Sequence, residues 1–149
     1  MSIKIISKNR QASYEFFLQD RYEAGLVLQG TEVKSIRVNG ARIEDAYIDI
    51  DSHGEAWAYN IMIAPYEFGN RANHVENRKR KLLLGKKEIA KIWQGIQQQR
   101  LTVVPTMIYF KDSLVKIEIA LAKGKNLHDK RSDKAKKDVE RKLQRKEYD

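Results

Sequence analysis

Leu101-Thr102-Val103-Val104-Pro105, Met107-Ile108-Tyr109-Phe110, Lys111-Asp112-Ser113 and Leu114-Val115-Lys116-Ile117-Glu118-Ile119-Ala120-Leu121 form the stretch that decides the fold. Two runs rich in β-branched and aromatic residues flank a short polar turn, as in a hairpin. Between Val115 and Leu121 apolar and charged residues alternate, so one face is buried. Pro105 lacks an amide N–H and predicts an irregularity in the first strand.

The pattern extends upstream. Lys86 to Arg100 has helical period, with Ile89, Ile92, Trp93 and Ile96 expected on one core face. Ala46 to Ile50, the turn Asp51-Ser52-His53-Gly54 and Ala56 to Ile63 form a second hairpin. Residues from Ser13 to Gln19 and from Tyr22 to Leu28 read as strand, with a turn or bulge at Asp20-Arg21 and a bend at Gly25. Gly30 to Arg37 starts a helix, with Thr31 as the expected cap and Asn39-Gly40 as its end. About six hairpin-linked strands with two or three helices predict a mainly β fold: an oligonucleotide-binding-type closed antiparallel barrel.

The 149 residues carry a net charge of +9 and no cysteine. Such a balance favours polyanionic partners. The cysteine count excludes disulfides and thiolate metal sites. No metalloprotease His spacing, phosphate-loop lysine or Gly-x-Ser-x-Gly elbow is present. Glu32, Glu44 and Asp45 suit capping or salt bridging better than acid–base chemistry. We therefore expect neither an enzyme nor a cofactor nor a metal site. No apolar run approaches the roughly 20 residues of a membrane helix, and a cytoplasmic protein is expected.

Two basic surfaces stand out. Residues 71–91 hold eight positive and two negative charges. Before them the polar loop from Pro65 offers Tyr66 and Phe68 for base stacking, and Asn70, Asn73 and His74 for base edges or 2′-hydroxyls. Tyr47, Trp57 and Tyr59 stay open between core and surface. The second surface is the end of the chain, residues 123–149. It holds eight Lys and three Arg against four Asp and two Glu. Ala135, Val139 and Leu143 recur every four residues, a stripe too thin to fold a helix alone. Residues 1–122 are thus expected to be the RNA-binding body, and 123–149 a basic tail that becomes helical on RNA.

Five blocks then follow in order: Gly30 to Arg37, Asn60 to Tyr66, Arg78 to Leu84, Leu101 to Pro105, and Lys123-Gly124-Lys125 with Asp129-Lys130-Arg131. Together they resemble the small protein B family, the SsrA-binding proteins of bacteria. The resemblance covers the chain from Asn9 into the tail. It implies an adaptor of trans-translation that binds the tRNA-like domain of transfer-messenger RNA (tmRNA, SsrA RNA). The adaptor delivers that RNA to stalled 70S ribosomes, so that the ribosome is rescued and the nascent chain is tagged for proteolysis. The body would stand in for a missing anticodon arm, and the tail would occupy the empty message channel.

Site residues follow by the same resemblance. Contact with tmRNA is implied at Lys8, Asn9, Glu32, Lys34, Arg37, Asn60, Tyr66, Asn70, Asn73, His74, Arg78, Lys79, Arg80 and Lys81. Contact with small-subunit rRNA at the decoding centre is implied at Lys123, Gly124, Lys125, His128, Asp129, Lys130, Arg131, Lys134, Lys137 and Arg141. His128 would stack on a decoding-centre base. Alanyl-tRNA synthetase and elongation factor Tu would be met only through tmRNA, and a monomer is expected. Val75-Glu76 stands where the family pattern has Asp-Pro, which bears on the loop's conformation but not its polarity. Asn126 replaces a frequent basic residue, a small loss of tail charge.

Overall fold

A computed structural model describes residues 2–69 and 73–125. Among the described residues, seven strands and three helices follow in order as β1 (Ile3–Lys8), α1 (Arg10–Glu15), β2 (Phe16–Leu26), α2 (Gly30–Asn39), β3 (Tyr47–Ile50), β4 (Ala56–Tyr59), β5 (Arg80–Leu83), α3 (Lys86–Gln99), β6 (Thr102–Lys111) and β7 (Leu114–Gly124). All strand pairs are antiparallel, in the order β1-β6-β7-β2-β5-β4-β3.

The hairpin of β6 and β7 is the middle of the core. Ile117 and Ile119 are fully buried, with Ile108 opposite Ile117. Each buried isoleucine contributes about 1.5–3 kcal/mol, which Lys116 and Glu118 on the other face do not. The register slips between Pro105 and Met107, next to the proline where an irregularity was expected. A second slip, between Leu18 and Arg21, is the bulge expected at Asp20-Arg21. Gly25 instead lies within regular pairing, opposite Lys116 on one side and Leu83 on the other. Near its end β7 is buried on both faces: Ala122 packs with Val104 and with Ala12 of α1.

The sheet is not a closed barrel, which corrects the expected architecture. Closure requires an edge of β6 to pair with β3. β1 occupies that edge from Met107 to Lys111, the Asn9 N–H donates to the Thr106 carbonyl at 2.8 Å, and α1 covers part of the rest. β3 therefore approaches β6 without a ladder. Where the two ends of the sheet face each other lies a cleft of about 850 Å³, lined among others by Lys8, Asn9, Ala46, Tyr47 and Val104.

Helix α3 buries Ile92 and half-buries Ile89 and Ile96 against the sheet. Trp93, expected in the core, is 44% exposed and lines a groove beside the turn at 51–54. Thr31 does not cap α2. The Glu32 carboxylate does so, accepting the Gln29 N–H at 2.7 Å. β7 extends through Lys123 and Gly124, beyond the boundary drawn at residue 122. Among the described residues no helix is long and apolar enough to cross a membrane.

Candidate nucleic-acid interface

The site is built around Glu32, on the first turn of α2 and fully buried. Its Oε1 accepts from Arg78 Nη2 at 2.5 Å and its Oε2 from Arg80 Nε at 2.5 Å. Burial pushes the carboxyl up, but the Arg78 guanidinium, the Gln29 N–H and Arg80 together outweigh it and hold it below the ordinary range. Arg80 is also fully buried, and burial lowers its pKa against the pull of Glu32. It remains a guanidinium and grips the Ile61 carbonyl at 2.6 Å and the Glu76 carbonyl at 3.1 Å. Arg78 Nη2 reaches the Val27 carbonyl at 3.3 Å. One carboxylate and two guanidiniums thus tie α2 to β5, to the end of β2 and to both ends of the loop.

A second brace shapes the loop. The Asn73 side chain accepts from the Tyr66 N–H (3.0 Å) and the His74 N–H (3.1 Å), and donates to the Tyr66 carbonyl (2.6 Å). A Cβ on Gly69 would stand 2.9 Å from the Asn73 amide, so this close approach needs glycine. His74 is buried. Its Nε2 lies 2.9 Å from the Ile63 carbonyl, which only accepts, so Nε2 carries the proton. Nδ1 lies 3.0 Å from the Thr31 hydroxyl. Ser35 donates to the Ala64 carbonyl at 2.5 Å. The loop is held to α2 at three residues, Ala64, His74 and Arg78, by Ser35, Thr31 and Glu32.

These braces leave an aromatic and cationic shelf outside. Tyr66 and Phe68 meet edge to face at 5.6 Å, Lys34 Nζ stands 5.8 Å from the Tyr66 ring, and Phe68 is 72% exposed. Lys79 Nζ lies 4.5 Å over Trp57, whose indole N–H donates to Asp51 at 2.8 Å. Tyr47 and Tyr59, opposite each other on β3 and β4, stack at 5.0 Å. An exposed ring beside a cation can stack on an unpaired base while the cation meets phosphate. Sequence reasoning left Tyr47, Trp57 and Tyr59 open. Their alternation with Ile48 and Ala58 was the signal that places them outward.

The expected contact residues therefore divide. Lys34, Arg37 and Lys79 are exposed, and Tyr66 half-exposed. Arg37 stands apart from the loop, in a cleft with Lys4, Ile5 and Phe110. Lys81 is paired with Glu55 at 3.2 Å. Asn60 closes β4 in the left-handed region, φ 61°. Glu32 and Arg80 have no exposed surface, and His74 has little; the geometry makes them supports, not contacts, because each has its polar atoms engaged inside. Asn73, half-buried, engages its Oδ1 and one Nδ2 N–H within the loop. Lys8 and Asn9 lie in the sheet-end cleft; Asn9 Nδ2 donates to the Pro105 carbonyl at 3.0 Å. Lys123 and Gly124 end β7, and Lys125 is the first residue after it. Asn70, His128, Asp129, Lys130, Arg131, Lys134, Lys137 and Arg141 lie outside the described residues, as does the expected tail helix. Among the described residues no three His, Asp or Glu side chains gather in a metal-binding group.

Comparison with known proteins extends this picture. The family model described as SmpB protein matches residues 6–148. The SsrA-binding protein of Geotalea uraniireducens (strain Rf4) is 52% identical over 141 residues, 95% of this chain and 93% of its own. That of Pelobacter propionicus is 50% identical over 143 residues, 96% of this chain and 93% of its own. A chain from the solved structure described as "tmRNA-SmpB: a journey to the center of the bacterial ribosome" superposes with a TM-score of 0.66 at 39% identity, covering 81% of this chain and 85% of that one.

Proposed function

Because the chain belongs to the SmpB protein family, we propose that it is an RNA-binding adaptor that binds tmRNA and acts with it on the ribosome. Its relatives are named for binding SsrA RNA, and the solved neighbour is a tmRNA–SmpB structure of the bacterial ribosome. The geometry that best supports this is the shelf on α2 and the loop. Internal braces fix its backbone while Lys34, Tyr66, Phe68 and Lys79 face outward. A rigid shelf of cations and rings recognises a folded RNA by phosphate position and by unstacked bases, not by sequence along a duplex groove.

The finer steps belong to the same proposal. The body grips the tRNA-like domain and fills the place of an anticodon arm. The tail, with Lys130, Arg131, Lys134, Lys137 and Arg141 against rRNA phosphates and His128 on a base, folds in the vacant message channel of a stalled ribosome. Rescue and tagging follow. No catalytic step is assigned to the protein, and alanyl-tRNA synthetase and elongation factor Tu meet it only through the RNA.

Direct competition tests the reading. Labelled tRNA-like domain of tmRNA, bound to the full chain, is challenged with bulk tRNA and with unlabelled tmRNA. Displacement by tmRNA at far lower concentration than by bulk tRNA is the expected result. Equal displacement would make the protein a general tRNA binder.

A further inference from the structure

We infer that Lys125 and Phe17 form a latch that fixes where the basic tail leaves the body; the inference rests on the proposed function and adds a positioning device to it. The helix α1 ends at Glu15, and its last carbonyls have no partners within the helix. Its last turn carries no basic residue of its own. Lys125, from the far end of the described chain, supplies what is missing. Its backbone N–H donates to the Glu15 carbonyl at 2.9 Å, and its Nζ donates to the Ser13 carbonyl at 2.9 Å. A cation there also complements the negative end of the helix dipole. The same Nζ lies 4.8 Å from the centre of the Phe17 ring.

The position is set by the ladder beneath. Phe16 pairs with Gly124 and Phe17 with Lys123, so Lys125 is the first residue past the sheet and faces the end of α1. Phe17 is 44% exposed, and among the described residues its ring belongs to neither core cluster. The contacts use both the main chain and the side chain of Lys125, so they restrain position and direction together. A tail that must enter a narrow channel gains from a fixed root, because the root then needs no ordering on arrival. Lys125 is on this view a positioning residue, and its ammonium is engaged on the body and not aimed at a phosphate.

Two variants separate the latch from a direct phosphate contact. Phe17→Leu keeps the lysine and the apolar volume but removes the ring's negative face. Lys125→Met keeps the stem and removes the cation. Both are made in the full-length chain, with Lys125→Arg as the conservative control. Hydrogen exchange of the Lys125 amide, read against the Val115 amide as a core control, is expected to quicken about five- to tenfold in the first two variants, the size of one lost charged contact. In Lys125→Arg it stays near the parent rate. Tagging on stalled ribosomes is expected to fall by a similar factor, and tmRNA affinity to stay within about twofold. The double variant should lose no more than Lys125→Met alone, since that change already removes the contact with the ring. Unchanged exchange at Lys125 overturns the latch. So does full tagging by Phe17→Leu beside lost tagging by Lys125→Met, which would assign the lysine to direct contact. If the parent protein itself failed to tag, the proposed function would fall, and the exchange rates would still decide whether the latch exists.

Discussion

Glu32 shows how one buried charge determines what the surface can do. It satisfies the start of α2 and neutralises one of two guanidiniums, and the second of these an amide cannot do. Glu32→Gln keeps the shape but leaves Arg80 buried without a counter-charge. Breaking a buried pair in this way costs about 3–5 kcal/mol. Urea unfolding at neutral pH should show a shift of that size. Acid gives a second signature. The folded carboxyl lies below its usual value of 4.5, so between the two values only the unfolded chain takes up the proton. The contribution is complete above about pH 5 and is lost as pH falls through the folded value. Glu32→Gln should therefore flatten the loss of stability on acidification below pH 5, measured by unfolding at a series of pH values. Glu23, whose carboxyl is also lowered, chiefly by the Tyr109 hydroxyl, keeps some acid dependence in the variant. An equally steep loss in both proteins would show that Glu32 is not coupled to folding as its contacts require.

At the scale of elements, the loop brace joins stability to recognition. Asn73→Ala removes two acceptor bonds and one donor bond from the backbone around Tyr66. Unmet backbone groups cost about 1–3 kcal/mol each when buried, and here they border solvent, so the loss is local. The expected outcome is a weaker grip on tmRNA, about tenfold by filter binding, with a small change in melting temperature. Asn73→Asp keeps the acceptors and loses the donor, and should fall between. Unchanged affinity in the alanine variant would remove the loop from the RNA contact. Such braces were hard to foresee, because the sequence showed Asn73, His74 and Arg80 as polar residues in a basic, loop-like stretch. Arg80 alternates inward with Leu82 on β5, and an inward arginine looks like surface until its carboxylate is found. β1 was missed because, as an edge strand, it exposes Ile3 and Ile5 and shows no alternation. The six residues of α1 are too few for a helical period to register. Trp93 has the right spacing for the apolar face of α3, but period says nothing of that face's width, and the sheet beneath is filled by Ile92. The hairpin of β6 and β7 and the length of α3 were legible because each has one dry and one wet side.

For the whole molecule, the unread strand β1 explains why an expected barrel is an open coiled sheet, and the charge pattern predicts how the parts divide their work. The body keeps its shelf when the chain stops after Lys125, since the braces of α2, β5 and the loop lie within residues 27–80. A chain truncated there should bind tmRNA nearly as tightly as the full protein and fail to tag. Salt makes the division quantitative. Each phosphate neutralised by the body contributes roughly 0.7–0.9 to the slope of log affinity against log salt. The truncated chain should keep the full protein's slope for the tRNA-like domain, whereas Lys34→Ala and Lys79→Ala should each lower it by about 1. On vacant ribosomes the order reverses: truncation should lower the slope by several units, and the shelf variants should leave it alone. Parallel losses of slope in both assays would mean that one continuous basic surface serves both RNAs, and the two-surface account would have to be given up.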